Sequence, residues 1–185
     1  MKAWGSGDDG TTGLFGHERV PKDDPRPESC GAIDEATSAL GVAKCSGVEA
    51  RTRGMLEETQ RDLYVIMGEL ATARENLNKL PAIVGQEQVA KLDGYCAEIE
   101  AEVQVPNQFL LPGACMASAQ LDLARAIVRR AERVIVPVVR EGLSDNRFIL
   151  RYLNRLSTLL YLLARFEDDR KGVLGVRAKD EGVKG

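Results

Sequence analysis

Three arginines recur one helical turn apart in "ARAIVRRAERVIV": Arg125, Arg129 and Arg133, with Glu132 three residues after Arg129. On a helix this spacing gathers the four side chains on one side. Guanidinium forks match phosphate oxygens two at a time, so the pattern suits a polyanion. It equally suits a solvated face with a few i,i+4 ion pairs. Further on, "FILRYLNRLSTLLYLLARF" sets Asn154 and Thr158 one turn apart in an otherwise apolar segment. A buried amide costs roughly 2–7 kcal/mol unless its polar atoms are met, so the expected partner of Asn154 is a neighbouring helix or a ligand. The third feature lies near the amino end. "GSGDDGTTGLFG", residues 5–16, holds five glycines, two aspartates and two threonines. Successive N–H groups of such a loop can cradle an anion, with threonine hydroxyls as further donors. Asp8 and Asp9 would repel phosphate unless Mg²⁺ intervenes or they turn inward to hold the loop. The stretch is not G-x-x-x-x-G-K-[ST], and no strand precedes it. Together the three features point to a nucleotide-triphosphate site, and none does so alone.

The elements that must position these residues read as helices. The 185 residues are 44% hydrophobic, 29% charged and only 5% aromatic, enough for one core and weighted towards helix formers. A net charge of −3 and scarce aromatics give neither a basic field nor a stacking platform, so nucleic acid is not an expected partner. Cys30, Cys45, Cys96 and Cys115 form no C-x-x-C pair and His17 is the sole histidine, which argues against zinc and for reduced, mostly buried thiols in a cytoplasmic protein. Neither an apolar signal core nor a span of membrane length is present.

After the loop, "HERVPKDDPRPESCG" (17–31) reads as an extended connector with Lys22 and Arg26 free to face a partner. Helices are expected from about Ser29 to Cys45, Val48 to Ala73, Gln86 to Val103, Cys115 to Arg140 and Asp145 to Asp168. Their apolar residues recur at three and four, as in Leu121, Ala124, Val128, Ala131 and Ile135. Pro137 should kink the fourth. "VPNQFLLPG" (105–113) interrupts the pattern with an exposed-looking Phe-Leu-Leu run. Strand alternation is nowhere convincing. The expected architecture is therefore all-α, a five-helix up-and-down bundle. Residues 1–28 form its glycine-rich loop and connector, 29–170 the bundle, and 171–185 a flexible tail.

"GDDGTTGLFG", "ERVPKDDPR", "GAIDEATSALG", "FLLPG", "LARAIVRRAERVIV" and "YLNRLSTLLYLLAR", in this order over about residues 5–168, resemble the PduO-type ATP:cob(I)alamin adenosyltransferases. The resemblance implies a homotrimer with active sites between subunits. It implies transfer of the 5′-deoxyadenosyl group of ATP to cob(I)alamin, giving adenosylcobalamin and triphosphate. Cobalt is then the nucleophile, after a flavin-type reductase has reduced cob(II)alamin. By the same resemblance, the ATP phosphates fall to Gly7, Asp8, Asp9, Gly10, Thr11, Thr12, Gly13 and Lys22. Arg129 and Glu132 bind triphosphate, with Glu132 the protein's candidate contact to the Mg²⁺ carried by ATP, and Asn154 contacts the nucleotide. Asp34 and Arg125 form a salt bridge across the subunit interface. Phe109 fills the lower axial face of the corrinoid, and with Arg129 and Glu132 makes up the catalytic set. The opening "WGSGD" is a residue shorter than the family's and lacks a threonine and a basic residue. That departure sustains an alternative, a catalytically impaired relative acting as a corrinoid or nucleotide carrier or regulator.

Overall fold

The computed structural model describes residues 4–16 and 18–178; His17 lies outside them, as do 1–3 and 179–185. The described chain is mostly helical. A small hairpin, β1 (Thr11–Gly13) and β2 (Arg19–Pro21), precedes α1 (Pro25–Cys45) and α2 (Ala50–Leu70). A 3₁₀ turn at Arg74–Lys79 leads to α3 (Gln86–Glu100), α4 (Met116–Arg140) and α5 (Phe148–Arg170). Helix α4 lies against α5 and α1, α2 against α1, and α3 against α5.

The helices form where apolar spacing requires them. In α4 the stripe Leu121, Ala124, Val128, Ala131, Ile135 is wholly buried, and in α3 Val89, Leu92 and Ile99 are too. Helix α5 is the most deeply enclosed, with Tyr152, Leu153, Leu156, Leu160 and Leu163 all inaccessible. Truncating any of these leucines to alanine would cost about 2–5 kcal/mol. Helix α4 runs on past Pro137 to Arg140.

The connector departs from expectation at both of its ends. Helix α1 starts four residues before Ser29. Asp24, in extended conformation, caps it by accepting from the Arg26 N–H at 2.9 Å, and Pro25 and Pro27 bring no N–H that the first turn would leave unmet. Arg26 is therefore not free: its guanidinium is held by Glu18 at 3.0 and 3.1 Å and by Asp24. The sheet was not anticipated because strands of three residues are too short to show alternation. Its register pairs Thr11 with Pro21, Thr12 with Val20 and Gly13 with Arg19, and Val20 is its buried member.

The segment expected to be a flexible tail is, as far as Ala178, bonded to the molecule. Gly172 ends α5 with φ 63°. The Val173 N–H reaches the Asp168 carbonyl at 3.0 Å and the Gly172 N–H reaches that of Asp169 at 3.0 Å, the paired closure that follows a left-handed C′ residue. The chain then returns antiparallel to residues 109–111, through a bridge between Leu110 and Arg177.

Candidate functional site

The glycine-rich loop is built by its own polar groups. The Asp9 carboxylate accepts from the Thr11 N–H at 2.9 Å and from its hydroxyl at 2.7 Å. Arg19, on the facing strand, donates to the Ser6 carbonyl at 2.6 Å and to the Thr11 hydroxyl, and pairs with Asp9 at 3.5 Å. The two bonds from Thr11, aided by Arg19, hold the Asp9 carboxyl below its ordinary value. Asp9 thus bonds to its own loop while its side chain stays exposed. The Lys22 N–H donates to the Gly10 carbonyl at 2.9 Å. A Cβ at Gly7 would lie 3.1 Å from the Thr11 carbonyl oxygen and 3.3 Å from Lys22 Nζ, a tight fit that would push the ammonium group off the loop. The hairpin is fastened beyond Gly13 by the Phe15 N–H, which donates to the Ala71 carbonyl at the end of α2 at 2.8 Å.

On the α4–α5 face, a cavity of about 520 Å³ opens between the 106–112 loop and the two helices, with Phe109, Arg125, Arg129, Thr158 and Tyr161 in its wall. Phe109 is 89% exposed, a high value for an aromatic side chain on a single chain. Arg129 is exposed, and among the described residues neither it nor Arg133 makes an ion pair. One turn on, Asn154 Nδ2 donates to Glu132 Oε1 at 3.4 Å while its Oδ1 accepts from Arg155 Nη1 at 3.0 Å; Arg155 is itself held by Asp93 at 2.7 Å. Asn154 and Thr158 are exposed, which corrects the expectation of a buried amide. The apolar residues of α5 occupy its other sides, so a greasy sequence still left one face open.

Beneath the cavity lies an ionic cluster that the sequence reading missed. Arg165 is buried between two buried carboxylates, Asp122 at 3.1 Å and Asp168 at 3.0 Å, and its guanidinium stacks on Tyr161, 5.3 Å from the ring centre. Asp122 also takes the Arg125 Nε at 3.2 Å, which fixes Arg125 in the cavity wall. The available signal was phase: Asp122 and Arg165 fall on the apolar stripes of their helices.

The residues singled out from sequence therefore form two groups. Phe109, Arg125 and Arg129 share the cavity and Glu132 with Asn154 adjoins it; Gly7 to Gly13 and Lys22 meet at the hairpin. Among the described residues, no hydrogen bond or ion pair joins the two groups. Asp34 is exposed on α1 and pairs with nothing among them, while Arg125 is engaged by Asp122. No cluster of three or more His, Cys, Asp or Glu side chains there could hold a metal by itself. Beside the cavity, Glu132 Oε2 makes no hydrogen bond or ion pair among the described residues and could join a Mg²⁺ held mainly by phosphate and water. Burial pushes the Cys30 and Cys96 thiols up to about 11, so neither is a ready nucleophile. No described helix is long and apolar enough to cross a membrane.

Residues 3–167 match the family described as cobalamin adenosyltransferase. The chain belongs to that family. It is 39% identical over 163 residues to a corrinoid adenosyltransferase of Citrobacter freundii, covering 88% of this chain and 92% of that one. It is 37% identical to the corrinoid adenosyltransferase PduO of Salmonella typhimurium, again over 88% of this chain but only 48% of the relative; it spans about half the length of that protein. Among solved structures, a Phe-to-His variant of a PduO-type ATP:corrinoid adenosyltransferase from Lactobacillus reuteri, complexed with cobalamin and ATP, superposes with a TM-score of 0.88 at 27% identity, over 97% of both chains. An Arg-to-Lys variant complexed with ATP gives 0.85 at 28%, over 96% of this chain and all of that one.

Proposed function

We propose that the protein transfers the 5′-deoxyadenosyl group of ATP to a cob(I) corrinoid. The observation that carries the reading is the single cavity where an exposed aromatic, Phe109, faces Arg125 and Arg129 in a chain of this family. The cob(I) centre of the substrate attacks C5′ of ATP; the cobalt–carbon bond forms as the C5′–oxygen bond breaks, and triphosphate leaves with the electron pair. The protein supplies no nucleophile. Its part is orientation and charge stabilisation: Arg129 faces the departing triphosphate and Asn154, fixed between Glu132 and Arg155, orients the nucleotide. Phe109 covers the lower face of the corrinoid and keeps bases and water from the metal. Glu132 Oε2 would help hold the Mg²⁺ that accompanies ATP, an ion that would neutralise part of the triphosphate charge.

The working unit of this proposal is a homotrimer of five-helix up-and-down bundles, in which the hairpin of one copy, with Gly7 to Gly13 and Lys22, closes over the α4–α5 face of the next. The separation of the two groups within one chain supports it, as does Asp34, which has no partner among the described residues and would then meet Arg125 across the interface. A flavin-type reductase in the cytoplasm is the proposed source of the electron. The carrier alternative is the weaker reading, because the phosphate-facing residues Arg129, Glu132 and Asn154 are all present and grouped.

The test is spectral: chemically reduced cob(I)alamin, ATP with Mg²⁺ and the protein, followed for the adenosylcobalamin spectrum. Saturable turnover is expected, falling at least about a hundredfold in Arg129→Ala, the scale of losing one charge-stabilising donor. Tight corrinoid binding without turnover would instead establish the carrier.

A further inference from the structure

Phe109 sits in a segment with little structure of its own. Among the described residues, two backbone hydrogen bonds hold the stretch 104–114, and both come from residues beyond α5. The Leu111 N–H donates to the Val176 carbonyl at 2.8 Å, and the Ala178 N–H donates to the Phe109 carbonyl at 2.8 Å. These flank the antiparallel pair Leu110 and Arg177, where side chains approach most closely.

We propose that residues 173–178 are a clamp that positions Phe109, setting by strand register which side chain of the Phe-Leu-Leu run faces out. The consequence for catalysis rests on the adenosyltransferase reading; the clamp itself does not. Successive side chains of an extended segment point to opposite sides. Phe109 and Leu111 are exposed at 89% and 51%. Leu110, between them, turns inward to line both the first cavity and a second one of about 660 Å³ beneath the returning chain. A slip of one residue would exchange Phe109 for Leu110. Gly175 fits that register: a Cβ there would stand 2.8 Å from Leu110 Cδ1 and 3.5 Å from its Cβ, so any larger residue makes the Leu110 side chain move. Its starting direction is fixed by the left-handed Gly172, on the most enclosed helix of the molecule. Six residues thus carry position from the end of α5 to the ring of Phe109.

The full-length protein is tested with Ala178→Pro, which deletes one donor, and Gly175→Val, which wedges Leu110 outward. The first readout is amide exchange, independent of catalysis. The Leu111 N–H should be protected in the parent and exchange about tenfold faster in either variant, the scale of one hydrogen bond. The second is turnover with cob(I)alamin: kcat/KM for the corrinoid should fall about tenfold while KM for ATP stays unchanged. In a Phe109→Ala background Ala178→Pro should cost nothing more, because both act through the same ring. An unprotected Leu111 amide in the parent overturns the clamp, and so does a loss that multiplies with that of Phe109→Ala. If the parent turns over no corrinoid, the adenosyltransferase reading fails, and the exchange measurement still decides the clamp.

Discussion

The two irregular segments at the candidate site hold their shapes by opposite means. The amino-terminal loop closes on itself: Asp9 fastens Thr11, Arg19 reaches back to Ser6, and three strand residues pair with three others. The Phe109 segment has no such fastening, and its two backbone bonds come from chain more than sixty positions away. The loop proposed to face the polyphosphate is thus locally determined, whereas the segment proposed to face the corrinoid is set by the body of the fold. A self-contained loop tolerates change elsewhere; a segment held from afar responds to changes that never touch the ligand.

This contrast can be broken or sharpened by substitution. The largest effect is expected from Arg165→Met, which leaves Asp122 and Asp168 as neighbouring buried carboxylates under the Phe109 segment. Removing one partner of a buried ionic group costs about 3–5 kcal/mol, visible as a lower denaturation midpoint with an unchanged slope. Gly172→Val forces a branched residue into the left-handed region at a cost of roughly 1–2 kcal/mol. It should impair corrinoid turnover and leave KM for ATP alone. Asp9→Ala should do the converse, raising KM for ATP severalfold and sparing the corrinoid; a matching rise in both constants would erase the distinction between the segments. The smallest effect is that of pH on the hairpin. Asp9 is depressed below 3.8 by Thr11 and Arg19, so its contribution is fully present above that value and is lost as pH falls through the lower folded value. Protection of the Thr11 amide, its exchange rate relative to that of an unstructured amide at the same pH, should be flat from neutral pH down to 3.8 and fall only below it.

The helices were legible because burial repeats every three or four residues, and Leu121 to Ile135 in α4 or Val89 to Ile99 in α3 show that period without interruption. The start of α1 was also written locally, in Asp24 followed by Pro25, but charge density made the stretch read as connector. Arg129 and Glu132 could be picked out because charged side chains at helical spacing are conspicuous, whereas Phe109 was singled out only through the family resemblance. Asn154 shows the limit of that reasoning. A polar residue in an apolar run is enclosed only if its own face is covered, and the sequence does not say which face stays open. The pairing of Leu110 with Arg177 was invisible for a different reason: two short extended segments far apart in the chain carry no period, and their register is decided by the turn at Gly172 and the fit of Gly175 on Leu110.

The buried trio of Asp122, Arg165 and Asp168 has a consequence for descent. Arg165 cannot be exchanged alone without leaving two buried carboxylates short of their shared cation, so a lineage that loses it must alter an aspartate in close succession or pass through a poorly folding intermediate. Across relatives of this chain, loss of Arg165 should therefore coincide with loss of Asp122 or Asp168, and the branches on which this happens would mark where the floor beneath the Phe109 segment was rebuilt.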